Sequence, residues 1–214
     1  MTTVLITGAN RGIGAALADT AQQQGFDVIR ATRPGRGGDV CFDVTDPANV
    51  AAVISSLDRP IDILINNAGI IGPDRQSCTD MDYAGMAQTF AVNVAGPLAV
   101  SNACLPHLRR SDNPRILTIS SQMAYMGYAK SDRIAYRASK AAVNKVMQGL
   151  ATDLRPEGIS VALVDPGWVR TDMGGAEADL SPTQVAAGIL SLALQIRPEQ
   201  TGKFFKWDGT ERDF

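Results

Sequence analysis

One histidine and three cysteines among 214 residues leave several large classes of chemistry without their reagents. Cys41, Cys78 and Cys104 lie far apart and form no C-x-x-C pair, which argues against a disulfide framework and a zinc site. The sole histidine, His107, stands in Leu105-Pro106-His107-Leu108-Arg109-Arg110, which reads as the solvated, frayed end of a helix. No Gly-x-Ser-x-Gly accompanies it, so the Ser-His-Asp hydrolases fall away, and no metal ligand set is expected. Charge of one sign is scarce too. Twenty Lys and Arg against 22 Asp and Glu leave a net charge of −2, no footprint for nucleic acid or an anionic membrane. No apolar run approaches the ~20 residues of a membrane helix. Residues 1–14 carry a strand-like pattern rather than a basic region, apolar stretch and cleavage site, so a cytoplasmic location is expected.

What is present is a regular alternation. Short apolar runs at Thr3–Thr7, Asp27–Ala31, Val40–Asp43, Ile61–Asn66, Arg115–Ser120, Ser160–Asp165 and Lys203–Trp207 read as strands. Between them lie helical patterns at 12–24, 46–57, 80–109, 134–154 and 181–196. Asp46-Pro47 and Ser181-Pro182 supply a cap and a first-turn proline for two of these helices. Runs such as Ile61-Asp62-Ile63-Leu64-Ile65 suit strands covered on both faces. The fold class is therefore α/β: one doubly wound Rossmann-type domain over 1–214, with a mostly parallel sheet of about seven strands.

Thr7-Gly8-Ala9-Asn10-Arg11-Gly12-Ile13-Gly14 follows the first strand and opens the first helix. Glycines there let the backbone approach a pyrophosphate, which the positive helix terminus attracts. At the end of the second strand, a carboxylate would accept the ribose hydroxyls of NAD, whereas an arginine would pair with a 2′-phosphate. The chain reads Val28-Ile29-Arg30-Ala31-Thr32-Arg33, with no carboxylate before Asp39. Arg33, assisted by Arg11, thus favours NADP(H) over NAD(H). Asp43-Val44, closing the third strand, offers a carboxylate for the adenine amino group.

Tyr136-Arg137-Ala138-Ser139-Lys140 stacks a phenol and an ammonium at i and i+4 on one helix face. A lysine so placed is expected to lower the phenol's pKa. Such a pair is common on helix surfaces, and its meaning depends on its company. Here the glycine loop, Asn66-Asn67-Ala68-Gly69, Asn93, Ser120-Ser121, the Tyr-Lys pair and Asp165-Pro166-Gly167 follow one another along the whole chain. In that order they resemble the short-chain dehydrogenase/reductase family.

The resemblance implies a hydride-transfer enzyme acting on a carbonyl or alcohol, one that reduces aldehydes, ketones or quinones. It makes Tyr136 the proton donor, Ser121 the partner of the carbonyl oxygen, and Lys140 the holder of the nicotinamide ribose. Asn93 would anchor a water that relays protons to Lys140. Asn67, Ala68 and Gly69 would line the adenosine half of the cofactor, and Pro166, Gly167, Trp168, Val169 and Thr171 the nicotinamide end. Asp165 to Gly175, Leu180-Ser181-Pro182 and Gly202 to Gly209 are similar to the C-factor-like branch, which includes small NADPH-dependent carbonyl reductases. That branch also carries signalling roles, so a dinucleotide-binding regulator is the alternative reading. From Ser121 to Tyr136 is 15 positions, longer than the family commonly shows, and a bulge or loop in 122–133 is expected. Gln122 to Tyr128, rich in Met and Tyr, would form either an apolar pocket wall or plain packing under a loop. The short segment 170–181 stands where the family builds its substrate lid and implies an open, loosely specific site. Apolar positions on helices 134–154 and 181–196 allow a homodimer seam, and serve equally for packing on the chain's own sheet.

Overall fold

The computed structural model describes residues 1–214 and confirms the doubly wound α/β plan. The first βαβ unit is β1 (Thr3–Thr7), α1 (Gly12–Gln23) and β2 (Asp27–Thr32), followed by the short β3 (Val40–Cys41) and α2 (Pro47–Ser55). Next come β4 (Ile63–Asn66), a hairpin of β5 (Gln76–Ser77) and β6 (Asp80–Met81), then α3 (Tyr83–Phe90) and α4 (Gly96–Leu108). The second half is β7 (Arg115–Ile119), α5 (Ile134–Leu154), β8 (Ser160–Asp165), α6 (Pro182–Gln195), β9 (Phe204–Lys206) and β10 (Glu211–Arg212).

The main sheet has eight strands in the order β10-β9-β8-β7-β4-β1-β2-β3. All neighbours are parallel except β9 and β10. The eighth strand is the two-residue β10, too short to leave an alternation in the sequence. Every residue of β1, β4, β7 and β8 is buried, as helices on both faces require. Register follows the pleat. Leu5, Leu64, Ile116 and Leu163 face the layer of α2, α4 and α5, while Val4, Ile6, Ile65 and Val164 face α1 and α6.

The caps are those the sequence predicts: Asp46 accepts from the Asn49 amide at 3.0 Å and Ser181 from the Gln184 amide at 3.2 Å. The expected helix over 80–109 is instead interrupted. Its first residues pair in the β5–β6 hairpin, Asp82 caps α3 through the Gly85 amide at 2.9 Å, and a π-helical turn at Ala91–Ala95 separates α3 from α4. His107 is a second correction. It is 6% exposed, and its Nδ1 lies 2.9 Å from the Arg59 carbonyl, because the segment leading into β4 folds over the end of α4.

Five of the apolar positions weighed for a dimer seam lie in the protomer's own core, while Leu194 is 45% exposed. Val143, Met147 and Leu150 of α5 are buried on one face of the sheet, and Leu190 and Leu192 of α6 on the other.

Candidate active site

The strand order reverses between β1 and β4, and at that switch point the carboxyl ends of the parallel strands open a crevice. A cleft of about 460 Å³ occupies it. At one end lies the glycine loop. Gly8 and Gly12 have φ of 67° and 55°, a conformation disfavoured for residues with a Cβ. Gly14 is required by contact, since a Cβ there would stand 2.2 Å from the Gly8 carbonyl oxygen and 2.4 Å from Asn67 Nδ2. Asn67 and Thr7 hold the loop: Asn67 Nδ2 donates to the Thr7 carbonyl at 2.9 Å, and Thr7 Oγ1 accepts from the Asn67 and Ala68 amides at 3.0 Å.

The first α1 hydrogen bond runs from the Ala15 amide to the Arg11 carbonyl. The amides of Gly12, Ile13 and Gly14 therefore have no partner within the helix, Arg11 supplies no side-chain cap, and no acid stands in the first turn. These donors line the cleft, as an anion site requires. Arg33, exposed, and Asp43 with Val44 line the far wall. Hydrogen bonds from the Thr45 amide and hydroxyl hold the Asp43 carboxyl below its usual range. Arg11 is engaged rather than free: its guanidinium bonds Asp172 at 2.8 Å, joining the glycine loop to the 170–181 segment.

The other end of the cleft holds Ser121, Tyr136 and Lys140. Ser121 lies just beyond β7, and its oxygen accepts from the Met123 amide at 3.1 Å. Its neighbour Ser120 instead donates to Asn144 Oδ1 in the interior. Tyr136 and Lys140 sit on the first turns of α5, with Lys140 Nζ 5.7 Å from the phenol ring centroid. Burial pushes the Tyr136 phenol up to about 12, partly opposed by a hydrogen bond from Ser121 and by the charge of Arg133. Burial lowers the Lys140 ammonium to about 8. On balance the phenol is thus raised rather than lowered. Lys140 Nζ donates to the Ile119 carbonyl at 2.8 Å, and loss of solvent dominates the phenol.

Asn93 lies behind the cleft wall, 1% exposed, within the π-helical turn. Its side-chain oxygen accepts from the Ile70 amide at 2.9 Å, and its Nδ2 donates to the Ile70 carbonyl and to Ser139 Oγ at 2.9 and 3.0 Å. The side chain braces the loop following Gly69 against α5. All the other site residues expected from the sequence are brought to the one cleft, including Pro166, Gly167, Trp168, Val169 and Thr171. Of the Met- and Tyr-rich run, only Gln122 and Met123 reach it; Met126 is 82% exposed and Tyr125 packs edge-on against Tyr128. The 15-position interval is absorbed by a 3-10 turn at Gln122–Ala124 and by Arg133, whose φ of 52° turns the chain into α5.

The segment after Val169 is tied to itself. Arg170 donates to the Ala178 and Asp179 carbonyls, Trp168 Nε1 to the Gly174 carbonyl at 2.7 Å, and Val169 bridges Leu180. Two supporting residues have roles the sequence does not assign: Gln76, which no motif contains, and Asp165, which stands there only as the first residue of a motif. Gln76, 7% exposed, accepts from the Tyr136 amide at 3.2 Å and donates to the Ile71 and Pro73 carbonyls at 3.1 and 2.6 Å. Asp165 accepts from the Gln122 and Gly167 amides and pairs with Arg212, joining the ends of β7 and β8 to the C-terminal strand.

The short chain dehydrogenase family model matches residues 2–180. The chain belongs to that family. It is similar to C-signal of Myxococcus xanthus, 45% identical over 156 residues, covering 71% of this chain and 92% of that protein. It is also 30% identical to 1-hydroxy-2-glutathionyl-2-methyl-3-butene dehydrogenase of a Rhodococcus strain, covering 98% of each. Among solved structures, NADPH-bound carbonyl reductase from chicken fatty liver superposes with a TM-score of 0.91, at 27% identity over 100% of this chain and 99% of that one. Membership makes this chain an oxidoreductase of CH–OH and C=O groups. No helix is long and apolar enough to cross a membrane.

Proposed function

We propose that this short-chain dehydrogenase is an NADP(H)-preferring carbonyl reductase of aldehydes, ketones or quinones, with Tyr136 as the proton donor. The observation that carries this reading is the continuity of one cleft. It joins the unpartnered amides of Gly12, Ile13 and Gly14 and the exposed Arg33 to the buried Tyr136 and Lys140.

The donor set fits a phosphorylated dinucleotide. The helix terminus suits the pyrophosphate, Arg33 the 2′-phosphate, and Asp43 the adenine amino group. No carboxylate at the end of β2 lines the cleft to claim a ribose diol, because Asp39 turns back and accepts from the Arg30 amide at 2.8 Å. When bound, the cofactor supplies the hydride.

The chain's own part is proton supply and charge stabilisation. Ser121 and Tyr136 receive the carbonyl oxygen as charge develops on it. A phenol held at about 12 stays protonated at neutral pH and so stands ready to give its proton in the reductive direction. Lys140, held at about 8, is mostly an ammonium at neutral pH and stabilises the phenolate left behind. Asn93 ties Ile70, next to Gly69, to Ser139, next to Lys140, through its side-chain amide. The likeness to C-signal does not displace this reading, since the serine, tyrosine and lysine are all in place.

The test is oxidation of NADPH and NADH against a panel of neutral aldehydes, ketones and quinones. Turnover with at least a tenfold preference for NADPH, reduced by Arg33→Ala, is the expected result; a charge-assisted phosphate contact is worth roughly that factor. Turnover of no carbonyl, or preference for NADH, would overturn the proposal.

A further inference from the structure

A second cavity, of about 370 Å³, abuts the reacting end of the cleft. Its lining is polar, with Asp74, Gln76, Ser77, Ser131 and Asp132 among its residues, and Ile71 and Arg133 line both spaces. Arg133 therefore stands at the junction, one helical turn before Tyr136.

Its surroundings single it out. Arg133 is the one non-glycine residue with a left-handed backbone, at φ 52° and ψ 44°. Every other cation of the catalytic cleft near the reacting end is engaged. Lys140 donates to the Ile119 carbonyl, and Arg11 is held by Asp172. Arg33 lies at the opposite, adenosine end. The adjacent Arg137 holds the Asp132 carboxylate at 2.9 Å, which removes the nearest acid from competition. The Arg133 guanidinium makes neither a salt bridge nor a hydrogen bond, yet its charge is felt at the Tyr136 phenol. Asp74, on the loop across the side cavity, is the remaining carboxylate there and forms no ion pair. Gln122, Met123, Val92 and Met173 are among the uncharged residues that line the cleft.

We propose that Arg133 is a specificity-determining residue that anchors a carboxylate of the substrate, so that the physiological carbonyl compound is an oxo acid whose polar tail extends into the side cavity. This rests on the carbonyl reductase reading above. A guanidinium offers two parallel donors to a carboxylate, and an open, mixed-polarity cavity admits the rest of the molecule. An anion placed there sets the distance from acid group to carbonyl by the turn between Arg133 and Tyr136.

The experiment compares 4-formylbenzoate with its neutral methyl ester as substrates of the NADPH-loaded protein. Arg133→Asn removes the charge while tolerating the left-handed backbone, and Arg133→Lys restores a charge. The ratio of kcat/KM for the acid over the ester should fall about tenfold in Arg133→Asn, recover in part in Arg133→Lys, and weaken with salt in the wild type. An unchanged ratio would overturn the proposal. Titration of 4-formylbenzoate into the NADPH-loaded chain, followed by calorimetry, reads the same contact without turnover. If neither aldehyde is reduced but the acid still binds about tenfold less tightly to Arg133→Asn, the reductase reading fails and the anion site stands. Equal binding to both proteins sinks the site.

Discussion

Lys140 is a buried cation whose retention costs stability, and replacing it with methionine should show how much. Burial lowers its pKa from 10.5 to about 8. At about 1.4 kcal/mol per unit, this amounts to about 3 kcal/mol favouring the neutral amine in the folded state. Lys140→Met removes that cost but leaves the Ile119 carbonyl without its donor, a loss of about 1 kcal/mol. The variant should therefore be about 2 kcal/mol more stable than wild type at pH 7, while losing activity. The sign of the pH dependence is fixed by the direction of the shift. Between pH 8 and 10.5 the unfolded chain holds the Lys140 proton and the folded chain releases it, so wild-type stability rises with pH. The variant lacks this increment, and the gap should close across that window. Urea unfolding of both proteins without added cofactor, at steps from pH 6 to 10, provides the measurement. A variant less stable at pH 7, or a gap that ignores pH between 8 and 10, would refute the reasoning.

Two further substitutions address the supports of the site. Gln76→Leu leaves the Tyr136 amide and the Ile71 and Pro73 carbonyls without partners. It should cost about 2 kcal/mol in urea unfolding and lower kcat more than it raises KM; an unchanged kcat would show that the amide needs no such support. Arg212→Leu strands the Asp165 carboxylate, whose side chain is only 5% exposed. A loss of about 3 kcal/mol should lower Tm by at least about 6 °C, and a melt within a degree of wild type would refute a structural role for the pair.

The legible parts of this chain were those whose causes are local. Strands such as Ile63–Asn66 are apolar because both faces are covered, and Asp46-Pro47 announces a helix start by itself. The glycine loop and the Tyr136–Lys140 pair were likewise readable, since each is one short segment with its chemistry in its spacing. What escaped depends on distant contacts. Gln76 meets Tyr136 from 60 positions away, and His107 is buried by a segment 48 positions earlier, so neither leaves a local signal. The phenol's raised pKa belongs with them. Spacing showed the lysine beside Tyr136, while burial, which only the packed fold reveals, decided the direction. The interruption at Ala91–Ala95 lay hidden in residues that individually suit an α-helix.

Tyr136→Phe removes one hydroxyl from the reacting end and leaves the glycine loop, Arg33 and Asp43 untouched. The measurement is its rate of NADPH-dependent reduction of an aldehyde that the wild type turns over, taken together with its NADPH affinity by nicotinamide fluorescence. A loss of about 10²-fold or more in kcat, with NADPH affinity within threefold of wild type, is the predicted result for a phenol that donates the proton. Turnover retained within about tenfold would contradict it and move the proton donor to another group.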